Sequence, residues 1–255
     1  MITIKTKEEI EKLRRGGKIL HDILHFLASH VREGVSTKYL EDIARKKMEE
    51  YKVKPAFLNY TPVGADRPFP AVLCVSVNDV VVHGIPNEHP KILKNGDIVT
   101  IDTGICSEGL YTDSAISVPV GEIDKKAELL LKATKEALNQ AISVVKEGAT
   151  TSDIGAMIEK IARKYKFSPA EDLGGHGVGY SQHEDPFIPN FKMKGFGVVL
   201  KEGMVLAIEP MLNEGKGAVD FLSDGYTVVT LDGKRSAHFE HTIVVTRDGF
   251  EVLTE

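Results

Sequence analysis

Apolar positions follow two different periods along this chain, and the change of period divides each half into helices followed by strands. After a Thr6-Lys7-Glu8-Glu9 capping box, Ile10, Leu13, Ile19, Ile23 and Leu27 recur at roughly helical spacing. This predicts a long first helix ending near Gly34. A second should run from Ser36 and Thr37 to about Tyr51, with Leu40, Ile43 and Met48 on its apolar side. Pro55, Pro62, Pro68 and Pro70 forbid a continuous element over 52–70. Beyond them the pattern turns to β-branched runs at 72–77, 80–82, 97–101 and 115–118, which read as strands. Asn95-Gly96 is a turn ahead of the third run, and Ser107-Glu108-Gly109 is a turn ahead of the fourth.

That last turn makes a hairpin of the stretch TIDTGICSEGLYTD. If it closes symmetrically, Asp102 lies directly opposite Asp113, and the two carboxylates share one face. Two acids forced together repel unless a cation sits between them. A pair of solvated aspartates on an exposed strand face would give the same local pattern.

The second half replays the first. Asp124 can cap a long helix ending at Gly148, and a shorter helix starts at Thr151-Ser152-Asp153 and reaches about Tyr165. Arg32-Glu33-Gly34 aligns with Lys146-Glu147-Gly148 at an offset of 114, as do Tyr51-Lys52 with Tyr165-Lys166 and Pro55-Ala56 with Pro169-Ala170. Further on the offset becomes 107, where KNGDIVTID over KEGMVLAIE sets Asp102 above Glu209. Chance likeness between two helix-plus-strand units is the alternative to duplication. No linker-like or low-complexity stretch separates the halves, so residues 1–255 are read as one catalytic domain with a repeat of about 1–120 and 121–255.

Composition narrows the classes. With 255 residues and 42% hydrophobic content the chain can bury a full core. A net charge of −5 with acids and bases interspersed gives no basic stripe for nucleic acid. Cys74 and Cys106 make no disulfide framework, and neither an apolar leader nor a long apolar run appears, so the expectation is a soluble cytoplasmic protein off the membrane.

The remaining chemistry lies in the second half. His176 sits among four glycines in GGHGVG, which lacks dinucleotide-loop spacing and suits backbone packed closely around an open imidazole. The apolar strand 205–208 delivers Glu209 at its end, and Pro210 stops the ladder. Residues 238–245 read as one further strand, with Glu240 where it enters the core; alone, such a glutamate is a solvated edge charge. With Asp102, Asp113, His176 and Glu209 it completes four carboxylates and one histidine. That set carries too much charge for one divalent ion and too much oxygen for a closed structural zinc site. It suits two ions of the Mn, Fe or Co kind sharing bridging carboxylates. Two such ions roughly 3.5–4 Å apart can supply a hydroxide nucleophile and polarise a carbonyl, which is hydrolase chemistry.

These residues, set in KEEIEKLRRGGKI, NDVVVHGIP, GDIVTIDTG, YTDSA, GGHGVG, HEDP, AIEP and FEHTIVVT, closely resemble the bacterial type I methionine aminopeptidases over essentially the whole chain. The resemblance implies the pita-bread fold, α+β, with two pseudo-twofold-related halves around a central metal site. It implies removal of initiator methionine from nascent polypeptides, ahead of a small second residue, by a monomer at the ribosome. It also implies two divalent ions (Co, Mn or Fe): Asp102 holding one, Asp113 and Glu240 bridging, His176 and Glu209 holding the other. His83 and His183 match two helper histidines at the scissile amide and its oxyanion, and Cys74 matches a residue lining the methionine pocket.

Several positions depart from the family pattern. Gln182 stands where an aromatic pocket residue usually precedes the helper histidine, and Tyr226 where tryptophan is common. His238 occupies a position that is commonly glutamine, and the 60–69 segment is longer than usual. Gln182 is therefore expected to face the pocket, with solvent as the alternative. The loop at 61–68, between pocket candidates Tyr60 and Phe69, is expected to reach over the entrance. His176 to Glu209 spans only 33 residues, too few for the helical insertion of type II enzymes, and the chain opens at the catalytic domain. A prolidase-like Xaa-Pro peptidase, which normally carries a further N-terminal domain, and a non-catalytic pita-bread binding module are the competing readings.

Overall fold

The computed structural model describes residues 2–62, 64–195 and 197–255. In the first half, α1 (Lys7–Ser29) and α2 (Thr37–Tyr51) precede β1 (Lys54–Pro55), β2 (Cys74–Val77), β3 (Val80–Val82), β4 (Ile98–Ser107) and β5 (Leu110–Pro119). In the second, α3 (Lys125–Ser143) and α4 (Thr151–Tyr165) precede β6 (Ser168–Pro169), β7 (Gly174–Gly177), β8 (Glu184–Pro189), β9 (Val205–Ile208) and β10 (Met211–Asn213). The chain closes with β11 (Val219–Phe221), β12 (Val228–Thr230), β13 (Ser236–His238), β14 (His241–Val245) and β15 (Phe250–Val252).

The helices begin where their caps dictate. Thr6 and Thr150 form full capping boxes with Glu9 and Asp153, and Asp124 accepts from the Lys126 and Ala127 amides. The two long helices stop short of Gly34 and Gly148. Ser29 Oγ donates to the Phe26 carbonyl and Ser143 Oγ to the Gln140 carbonyl, each at 2.7 Å, taking up carbonyls of the last turn. Ser29 and Ser143 are 114 apart, as are the left-handed caps Lys52 and Lys166 that end α2 and α4. Isolated bridges Ser36–Ile92 and Thr150–Val199 repeat at the same places in the two halves.

One core packs α1 and α2 on β2 and β4, through Leu20, Ile23, Leu40, Val75 and Ile101. A second packs α3 and α4 on β9 and β14, through Leu130, Leu138, Ile158, Leu206 and Ile243. The sheets are antiparallel. β4 pairs β5 on one side and β1 and β2 on the other, and a five-stranded sheet runs β15-β14-β9-β7-β8. Among the described residues, no helix is long and apolar enough to cross a membrane.

Three local expectations need correction. The β4–β5 loop is two residues, Glu108 and Gly109, both with positive φ (51° and 83°), the conformation that matches strand twist in a tight hairpin. Asp113 therefore pairs with Gly104, and Asp102 with Ala115. A two-residue shift preserves the alternation of faces, so the aspartates remain on one side as diagonal neighbours.

Residues 238–245 are two strands: β13 pairs β10 and β14 pairs β9, with a break at Phe239 and Glu240. Glu209 and Pro210 break the partner strand at the same level. The register is unchanged across the gap, so Glu209 and Glu240 face each other where the ladder opens. β2, finally, begins at Cys74 rather than Val72. The Val72 and Leu73 amides donate to the Glu41 carboxylate at 3.0–3.3 Å instead of joining the ladder.

Candidate metal centre

β4 and β5 carry Asp102 and Asp113, β7 carries His176, and the gap between β9 and β10 opposite that between β13 and β14 carries Glu209 and Glu240. His176 reaches the centre because β7, flanked by β9 and β8, carries almost no other side chains. A Cβ on Gly175 would come within 2.3 Å of the Ala207 carbonyl oxygen, and one on Gly177 within 2.2 Å of that of Asp185. The glycines thus serve close strand approach, as their clustering suggested.

Ligand-type atoms of Asp113, His176 and Glu240 all lie within 4.8 Å of one another, and His176 Nε2 is 3.5 Å from Glu209 Oε1. Asp102 and Glu209 line the same cavity of about 340 Å³. No Lys or Arg is among the described residues lining it. Burial pushes the Asp113 carboxyl up to about 7. Burial, and then mutual repulsion, hold Asp102, Glu209 and Glu240 well above the ordinary carboxylate range. Burial also drops His176 to about 4, so its ring is neutral at pH 7.

His176 Nδ1 lies 2.8 Å from the Gly177 carbonyl, which can only accept. Nδ1 therefore holds the proton, and the Nε2 lone pair points at the carboxylates. Lone pairs aimed at lone pairs, without a cation, repel. The donor set fits divalent metal: Asp113, His176 and Glu240 converge, and Asp102 and Glu209 line the same cavity.

His83 and His183, the candidate helper histidines, line the same cavity. His83 adopts a left-handed backbone (φ 59°) at the end of β3 and bonds the Tyr226 backbone. His183 packs edge-on to His176 at 4.4 Å, and its Nδ1 lies 3.0 Å from the Tyr60 hydroxyl. Burial in the cleft, then the neighbouring His176 and His83 rings, hold His183 below the ordinary imidazole range although its ring is open to the cavity. The loop that carries it is anchored by its neighbour. Glu184 accepts from the Tyr180 and Ser181 amides, the Thr3 hydroxyl and, at 2.8 Å, the almost fully buried Lys5 ammonium.

Of the pocket candidates, Cys74, Tyr60, Phe69 and Tyr226 line the cavity, with Phe69 packed edge-on against Tyr226 at 5.1 Å. Cys74 pairs with Asp102 across β2 and β4. Gln182 does not line it, nor does it face solvent. It is 6% exposed, and its Oε1 has no hydrogen-bond partner among the described residues.

Pro62, Gly64 and Ala65 of the 61–68 loop reach the cavity, while Val63 lies outside the described residues. Arg67 ties this loop down, pairing with Glu88 at 2.6 Å and donating to the Asp224 carbonyl. Phe57 and Phe221 complete the wall and were missed in the sequence. Phe57 had one signal: the repeated Pro55-Ala56 places it beside β1, where it meets Phe69 at 6.3 Å.

Residues 11–247 match the model of metallopeptidase family M24. The chain belongs to metallopeptidase family M24. Membership in a metallopeptidase family agrees with the donor set and implies divalent metal. This M24 chain is 46% identical to the methionine aminopeptidase of Aquifex aeolicus (strain VF5) over 257 residues, covering 100% of this chain and 99% of that protein. Its structure matches crystalline methionine aminopeptidase from Thermotoga maritima with a TM-score of 0.94 at 42% identity, covering all of both chains. A prolidase from Pyrococcus furiosus matches at TM-score 0.76 and 24% identity, over 99% of this chain and 65% of that one. The likeness to the prolidase is one of fold alone. The M24 chain has the pita-bread fold these proteins share.

Proposed function

We propose that this M24 chain is a dinuclear-metal aminopeptidase that removes the initiator methionine from proteins with a small second residue. The observation that carries the reading is the gathering of three buried carboxylates, the nearly buried Glu209 and the His176 lone pair around one cavity, with no Lys or Arg among the described residues lining it. Asp102 would hold one ion, Asp113 and Glu240 would bridge, and His176 and Glu209 would hold the other, with Mn, Fe or Co as the fitting metals. Bound there, the metal supplies a low-pKa water and polarises the methionyl carbonyl.

The protein's own groups do the rest. Glu209 accepts the proton of the attacking water. His183 donates to the developing oxyanion, and His83 contacts the scissile nitrogen. The Tyr60 hydroxyl sets the His183 tautomer. In this reading the Tyr60 O–H, 3.0 Å from His183 Nδ1, donates to it and leaves the ring proton on Nε2 for the oxyanion. Phe57, Tyr60, Phe69, Cys74 and Tyr226 enclose the methionine side chain, where each sulfur–aromatic contact is worth roughly 0.3–1.5 kcal/mol. The carboxylate-lined floor favours a free α-amine over an internal amide nitrogen, which makes the activity an exopeptidase.

We further propose that residues 1–255 form one catalytic domain built by duplication. In this reading it works as a cytoplasmic monomer on N-termini of polypeptides leaving the ribosome. The test is hydrolysis of Met-Ala-Ser against Ala-Pro with added Mn or Co. Cleavage of Met-Ala-Ser alone supports the reading, cleavage of Ala-Pro alone would indicate a prolidase, and cleavage of neither a binding module.

A further inference from the structure

Among the described residues, His238 is a buried polar group beside the centre that the proposed mechanism leaves without a task. It ends β13, is 1% exposed, and lies beside Glu209 and Glu240 without being among the described residues that line the cavity. Its main chain is fixed on both sides by one hydroxyl: the His238 amide donates to Ser117 Oγ at 3.0 Å, and Ser117 Oγ donates to the His238 carbonyl at 2.7 Å. Thr100 Oγ1, 2.6 Å from Ser117 Oγ, completes that clamp. The ring, by contrast, has no hydrogen-bond partner at either nitrogen among the described residues.

An imidazole ring in its neutral form carries one N–H donor and one lone pair. A buried donor without a partner is costly, and in native proteins such a group commonly marks a place where something else binds. Nε2 is 3.6 Å from Glu209 Oε2 and 4.0 Å from Glu240 Oε2. Those are the two carboxylates that face each other across the opened ladder. The nearer gap exceeds hydrogen-bond length by only about half an ångström.

We infer that His238 is a positioning residue that donates from Nε2 to Glu209, holding that carboxylate in its metal-binding orientation without ligating metal itself. The inference rests on the dinuclear reading above. Three observations support a donor role over ligation. The ring is not among the described residues lining the cavity; of the two carboxylates within 4.0 Å of Nε2, Glu209 is the nearer; and the main chain is held by Ser117, which limits how far the ring can travel. Its cost falls on the metal-free protein, where the donor is orphaned, and its gain appears once Glu209 is drawn into place.

The experiment compares His238→Leu with His238→Gln by calorimetric titration of metal-free protein with Mn, alongside thermal melts without metal. Gln can offer an amide N–H in place of the ring; Leu cannot. The expected result is a 10–100-fold weaker Mn affinity for His238→Leu, near-native affinity for His238→Gln, and a metal-free melting temperature of His238→Leu at or above that of the unmodified protein. A Co absorption spectrum unchanged in His238→Gln would support the donor role. Equal loss of affinity in both variants, with an altered Co spectrum, would make His238 a ligand and overturn the inference. Native affinity in His238→Leu would overturn it too. If the unmodified protein binds no Mn, the dinuclear reading itself fails, and this inference fails with it.

Discussion

Replacing Lys5 by Met tests whether the N-terminal segment holds the His183 loop. The Lys5 and Glu184 side chains are 1% and 6% exposed, so the pair is screened from water. The two ends are not equally favoured. Burial pulls Lys5 down despite Glu184 beside it, while the donors around Glu184, Lys5 first among them, outweigh burial and hold it below the ordinary carboxylate range. Removing one partner of a buried pair costs about 3–5 kcal/mol, because the other charge is stranded. The Tyr180 and Ser181 amides and the Thr3 hydroxyl still donate to Glu184, so the low end, about 3 kcal/mol, applies. At about 2–4 °C per kcal/mol for a chain of this size, melting should fall by roughly 6–12 °C.

Because Glu184 is depressed in the folded state, its contribution is present above its unfolded pKa and fades as pH drops through the lower folded value. The gap between variant and parent should therefore narrow in acid. Loosening the loop should also lower kcat more than it raises KM, since the main displacement is of His183. Lys5→Met/Glu184→Gln should recover most of the melting loss. A loss under about 1 kcal/mol at neutral pH would put the pair in the class of exposed salt bridges and refute the reasoning.

Two further outcomes follow from the pocket. Tyr60→Phe removes the donor to His183 Nδ1 and should lower kcat about tenfold, short of the 10²–10³ lost with an oxyanion donor itself; unchanged kcat with normal metal content would remove Tyr60 from the mechanism. Gln182→Met should leave kcat/KM for Met-Ala-Ser unchanged. Its urea stability should be equal or higher by about 1 kcal/mol, because a buried unpaired carbonyl is lost; a change in kcat/KM would place residue 182 in the pocket after all.

The helices were legible because their start signals are local: Thr6, Ser36, Asp124 and Thr150 each cap the helix that follows. The hairpin register was not, because it turns on Glu108 taking a positive φ, which a three-residue reading of the turn does not anticipate. The break before β14 was hidden in a run of strand-forming residues, and only pairing with two different partners reveals it. The five candidate ligands could be nominated because carboxylates beside strand-forming runs and a histidine among glycines stand out along the chain. Gln182 was misjudged because sequence adjacency to His183 says nothing about which way each side chain turns. The Lys5–Glu184 clamp joins residues 179 apart, and no local pattern announces it.

The central claim is that the carboxylate cluster exists to hold divalent metal. Calorimetric titration of chelator-treated protein with Mn, with peptidase activity followed on the same samples, tests it most directly. The account predicts up to two ions per chain, proton release on binding as the buried carboxylates ionise, activity returning with occupancy, and fewer ions bound by Asp113→Asn. Full activity in the metal-free protein, or Asp113→Asn binding as many ions as its parent, would contradict it.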